Sequence, residues 1–159
     1  MTRKELLQSY FNGYDGLASQ VKDLSKEVLY YKPSEDKWSI AEIIMHLSDA
    51  ECNSNLRFRK AIAESGSRVE LYDQDLWAKL LKYQECDLAV SLALIKILRM
   101  NNYFLFLILD ENVWDNFIIH PERGKLTLDN LLKIYTEHLE IHIKQIKRNT
   151  ELFKTRQSN

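Results

Sequence analysis

Four glycines and two prolines are all that this chain of 159 residues contains. An average protein draws about 12% of its residues from these two types. Turn-rich β architectures, collagen-like repeats and flexible linkers depend on them, so the scarcity argues against all three. Long helices need neither residue in their interiors. At this length a single domain, residues 1–159, can bury roughly 70% of the surface its unfolded chain exposes.

The positions of the six are as informative as their number. Thr2 and Glu5 form a capping box that opens a first long helix, with Leu6, Tyr10, Leu17, Val21 and Leu24 among its apolar positions. Gly13 and Gly16 lie inside that pattern, each costing about 1 kcal/mol relative to alanine. Residues 25–37, with Pro33, read as a connection holding one short helical turn. A second capping box, Ser39 with Glu42, opens the next helix. Its apolar residues Ile40, Ile43, Ile44, Leu47, Ala50, Phe58, Ala61 and Ile62 recur at offsets of three and four. Gly66 should close it. The stretch 66–86 is mixed, with a short helix expected near 76–81. Asp87 caps a third long helix, and residues 103–109 within it are apolar all round, so cover on more than one side is expected. A loop, HPERG (120–124), then precedes a fourth helix capped by Thr127 and running to about Phe153. The chain is predicted to be all-α, a four-helix bundle with a long crossover connection between its second and third helices.

A net charge of −1 supplies no global field for nucleic acid or anionic lipid. The longest apolar run is the seven residues 103–109, well short of a membrane span. No signal-peptide pattern follows Met1, and Cys52 and Cys86 form no paired motif. A reducing cytoplasm suits such a chain. Cys52, six residues beyond His46, is expected to be a buried, inert thiol.

Histidine placement points to chemistry. His138 and His142 are spaced i, i+4, which stacks them on one helix face. On a wheel advancing 100° per residue from Leu128, they fall at about −80° and −40°, beside the inward stripe of Leu131, Tyr135, Leu139 and Ile146. His46 lies on the second helix, at the flank of its apolar arc. Buried imidazoles need partners. Backbone or water can supply them, and so can a divalent metal held between helices. Three imidazoles leave at least one coordination position open, as catalytic sites do, and zinc or nickel suits them. Such an ion acidifies water or stabilises a thiolate. Asp49 and Glu42, within a turn of His46, are candidates to orient it or to act as a base. His120 reads as a surface loop residue, and Trp38, Trp77 and Trp114 as lids and staples.

Three segments, KWSIAEIIMHLSDAE (37–51), YDQDLWA (72–78) and HPERGKLTLDNLLKIYTEHLEIHIKQI (120–146), together resemble the DinB-like, or YfiT-like, superfamily of metalloenzyme bundles. The resemblance implies a metal triad at His46, His138 and His142 and, often, a homodimer. It also implies a small-molecule substrate. Where activity is known, many members are similar to thiol-dependent S-transferases that use bacillithiol, mycothiol or glutathione, and others are described as metal-dependent hydrolases; water in place of the thiol would give hydrolysis of an amide or ester. A thiol transferase is therefore the first expectation, a hydrolase the second, and a non-catalytic metal-binding or interaction bundle the third. No nucleic acid or membrane partner is expected.

Overall fold

The two capping boxes form as predicted: Thr2 and Ser39 each accept from the amide three residues on, and Glu5 and Glu42 reach back to the cap amides. In the computed structural model, which describes residues 1–157, they open α1 (Arg3–Val21) and α3 (Ile40–Ala63). A short α2 (Lys26–Tyr30) lies in the connection between them. Gly66 adopts a φ of +90° after α3, where a side chain would be strained. Asp73 caps α4 (Gln74–Leu80), and Asp87 caps α5 (Leu88–Phe106) through the amides of Ala89 and Val90. Thr127 Oγ1 accepts from the amide of Asn130 and opens α6 (Leu128–Gln157), somewhat longer than predicted.

The four long helices close a ring in which α1 packs on α5, α5 on α3, α3 on α6 and α6 on α1. The predicted four-helix bundle is present. Its long connection between α3 and α5 carries α4 and joins helices that are neighbours in the ring, whereas α1 to α3 and α5 to α6 pass between opposite corners.

One element departs from the all-α reading. Residues 117–127 form a β-hairpin, with β1 (Phe117–His120) antiparallel to β2 (Gly124–Thr127) and His120 opposite Gly124. Segment 66–69 zips onto it: Gly66 N donates to Phe117 O at 2.7 Å and Val69 N to Ile119 O at 3.2 Å. The hairpin is thereby tied to the end of α3. Ile118 and His120 face inward.

Two apolar clusters fill the bundle. One gathers Tyr10, Phe58, Phe106, Trp114, Leu131 and Tyr135 near the hairpin, and the other Leu17, Ile43, Leu47, Ile95, Leu139 and Ile146. A polar layer is buried in the same bundle. Arg99 is 1% exposed and Glu51 2%. Arg99 Nη1 donates to Glu51 Oε1, its Nε donates to Tyr10 O at 2.9 Å, and its guanidinium lies 4.0 Å over the Tyr10 ring. Glu51 Oε2 also accepts from Tyr10 Oη at 3.2 Å and Ser54 Oγ at 3.1 Å.

This layer explains Gly13. A Cβ there would meet Leu139 Cδ2 at 2.7 Å and Arg99 Nη2 at 3.2 Å, so the glycine lets α6 and the buried arginine close on α1. Gly13→Ala should therefore destabilise by about 1–3 kcal/mol, overpacking outweighing a helix-propensity gain of about 1 kcal/mol. Urea denaturation checks the sign; an equal or higher midpoint would refute the close-packing role.

Two sequence expectations are corrected. Residues 103–109 are covered on one side rather than several: Phe106 is buried, but Phe104, Leu107 and Ile108 are exposed. The stretch forms the outward edge of a corner helix. Among the described residues α5 is also the one helix long and apolar enough to cross a membrane. Here it packs on α1 and α3 and buries Arg99 and Asn102. Cys52, expected inside, is exposed, because the inward arc of α3 at that turn is taken by Glu51 and Ser54.

Candidate metal centre

The ring order makes α3 and α6 neighbours, and their facing sides bring His46, His138 and His142 together. His138 Nε2 lies 3.1 Å from His46 Nε2 and 3.1 Å from His142 Nε2. His46 is 2% exposed, and the other two are half-buried. Trp38 packs against His46 with ring centroids 4.9 Å apart, the covering role expected of it. Trp114 is buried beneath Arg3, and Trp77 stacks beside Tyr72.

Proton bookkeeping shows what the cluster lacks. Gln145 Oε1, an acceptor, takes the Nδ1–H of His142 at 2.9 Å, which leaves His142 Nε2 with a lone pair. His138 Nε2 can carry one proton and so can satisfy one of its two neighbours. His46 Nδ1 is buried without a hydrogen-bond partner among the described residues, so His138 is that ring's one polar contact. Burial, reinforced by the neighbouring imidazoles, pushes His46 and His138 down to about 3, and burial also lowers His142. All three rings are held in their neutral form, and in every tautomer one of the two Nε2–Nε2 contacts is left without a hydrogen bond. A divalent cation resolves that conflict. Nitrogens 2.0–2.1 Å from one ion, at angles between 90° and tetrahedral, stand about 2.8–3.4 Å apart; the two separations to His138 fall in that range, and all three ligand atoms lie within 4.8 Å of one another.

Asp49 and Glu42 do not join the cluster. Asp49 Oδ2 accepts the hydroxyl of Tyr83, and burial raises its pKa. Glu42 is held by Ser39 N at 2.7 Å and Lys32 Nζ at 3.3 Å. Both carboxylates are already engaged, and neither hydrogen-bonds a histidine.

A cleft of about 260 Å³ reaches His46 and His138. Arg57 and Ala50 line it from α3, Leu131, Ile134 and Tyr135 from α6, Tyr72 and Gln74 from the long connection, and His120 and Arg123 from the hairpin. His120 is 7% exposed rather than a surface loop residue, because strand pairing turns it inward. Arg57 and Gln145 escaped the sequence reading, and Tyr135 was read only as part of the inward stripe, although rotation places all three near the histidines. Arg57 follows His46 by eleven residues, about 20° away on the wheel, Tyr135 precedes His138 by three, and Gln145 follows His142 by three.

The sequence profile of the DinB superfamily matches residues 13–146, more than four fifths of the chain and all three histidines. The chain belongs to the DinB superfamily. Among DinB relatives, a protein of Oceanobacillus iheyensis provisionally named a metal-dependent hydrolase is 29% identical over 130 residues, covering 82% of this chain and 75% of its own. YfiT of Bacillus subtilis, with the same provisional description, is 29% identical over 110 residues, 69% of this chain and 62% of its own. The solved structure of YfiT, described as a four-helix bundle of unusual topology, matches with a TM-score of 0.89 at 23% identity, covering 97% of this chain and 90% of that one. The mycothiol-dependent maleylpyruvate isomerase shares the fold at a TM-score of 0.71 and 11% identity, over 90% of this chain and 60% of that enzyme.

Proposed function

We propose that this protein is a divalent-metal-dependent hydrolase of a small ester or amide, with the Nε2 atoms of His46, His138 and His142 as the metal ligands. The convergence of three neutral imidazoles that cannot all hydrogen-bond to one another carries the reading. Zinc and nickel both suit such a donor set. A bound ion supplies Lewis acidity, which polarises a carbonyl and makes water a nucleophile near neutral pH.

The chain's own residues prepare that chemistry. Gln145 fixes the tautomer and ring plane of His142, the outer-shell device that raises ligand basicity. Burial keeps the imidazoles unprotonated at neutral pH, so no proton competes for the lone pairs. Trp38 packs against the His46 ring at a tilt of 52°. Three protein ligands leave at least one position for water or substrate.

The provisional names of the O. iheyensis and B. subtilis relatives favour water over a thiol as the nucleophile. Thiol transfer, the first expectation from sequence, becomes the second reading. Its support is the mycothiol-dependent enzyme, with which this chain shares a fold. The test uses protein purified without a histidine tag, analysed for metal and then assayed on chromogenic esters and anilides. We expect about one ion per chain and product release without added thiol, lost on chelation and restored by zinc or nickel. Turnover that appears only with a thiol would replace hydrolysis with S-transfer. Less than a tenth of an ion per chain would overturn both.

A further inference from the structure

The cleft beside the three histidines holds two guanidinium groups, and neither is paired with a carboxylate among the described residues. Arg57 is fixed by its Nη1 donating to Tyr135 Oη at 3.0 Å and its Nη2 to Glu70 O at 2.9 Å. Both acceptors are neutral. A guanidinium has five N–H donors, so three of Arg57's remain. Arg123, at the hairpin turn, has no hydrogen bond or ion pair among the described residues, yet it lines the cleft. Its charge reaches the cleft-lining ring of His120. His120 Nδ1 accepts the amide of Glu122 at 3.3 Å, so the neutral ring carries its proton on Nε2. Glu122 is the one carboxylate among the lining residues. The wall is therefore net positive before any ion is counted, and it is built from the planar fork that matches carboxylate and phosphate oxygens.

We infer that the cleft selects a substrate bearing an oxyanionic group, a carboxylate or a phosphate, near the bond that is cleaved, received by Arg57 and Arg123 with His120 donating from Nε2. The cleaved bond rests on the hydrolase reading above; the oxyanion site does not need the ion. Leu131 and Ile134 leave an apolar wall for the rest of a small molecule.

Two measurements separate the claims. Metal-free, 15N-labelled protein is titrated with glutarate, inorganic phosphate and neutral glutaramide while the arginine Nε–H resonances are followed. We expect saturable shifts at Arg57 and Arg123 with at least one oxyanion, the more effective naming the group, and none with the diamide. Arg123→Gln, at an exposed position where the fold is not at stake, should weaken that binding at least fivefold. Zinc-loaded protein is then given the 4-nitrophenyl monoester of glutarate and 4-nitrophenyl valerate. The anionic ester should be favoured at least tenfold in kcat/KM, chiefly through KM, and the preference should fall below threefold in Arg123→Gln. Oxyanions that shift the arginines no more than glutaramide would overturn the inference, whatever the hydrolysis. Saturable oxyanion binding with neither ester cleaved would uphold the anion site and fell the hydrolase reading.

Discussion

His138→Ala is expected to lower metal content from about one ion per chain to less than a tenth, and to reduce hydrolysis by ~10³-fold or more. His138 is the middle member of the cluster, 3.1 Å from each of the other two candidate ligand nitrogens. Removing it leaves two imidazoles on different helices with no shared neighbour, and two-ligand sites hold divalent ions weakly beside those with three or four. The fold should survive, since His138 is only half-buried and its neighbour Leu139 carries the core contact. Elemental analysis and the ester assay read the two losses separately. A variant that keeps both its metal and its rate would move the centre elsewhere.

The second large effect concerns stability rather than chemistry. Glu51→Ala strands the Arg99 charge in a site where both side chains are almost fully enclosed. Breaking a buried pair from one side costs about 3–5 kcal/mol. For a domain of this size that is a fall in Tm of roughly 10 °C. Replacing both partners, Glu51→Ala with Arg99→Met, should cost less than Glu51→Ala alone, because no charge is then left without a counterpart. Thermal unfolding of the two variants decides it. A single variant within 1 kcal/mol of the parent chain would show that the guanidinium finds water, and that the layer is not sealed.

The four long helices were readable because their signals are local. Each begins at a side chain that caps amides two or three residues away, and each keeps one apolar face over many turns. The positions of the three histidines followed from the same wheel. The hairpin was not readable. Phe117–His120 and Gly124–Thr127 are four residues each, too short for alternation to declare itself, and the pairing of β1 with segment 66–69 is tertiary. Missing the hairpin misplaced His120, which turns inward only because strand geometry alternates its neighbours. The buried pair was hidden for another reason. Glu51 and Arg99 look like any charged helix residues, and each tolerates burial only because the other, 48 residues away, is there. Asp49 and Glu42 show the converse: sequence proximity to His46 placed them near it, but Tyr83, Ser39 and Lys32 engaged them first.

The ring order of the helices has a consequence for biosynthesis. His46 precedes His138 by 92 residues, so at roughly 5–20 residues per second a ribosome releases the first candidate ligand some 5–20 seconds before the other two. In that interval α1, α3 and α5 are already made, α5 packs against both of the others, and His46 is the one candidate ligand among the three. On the proposed metal-dependent reading, the three-histidine site is complete only when α6 slots into the vacant corner. An ion held by all three would then come from the pool that the folded protein meets, not from the surroundings of the nascent one.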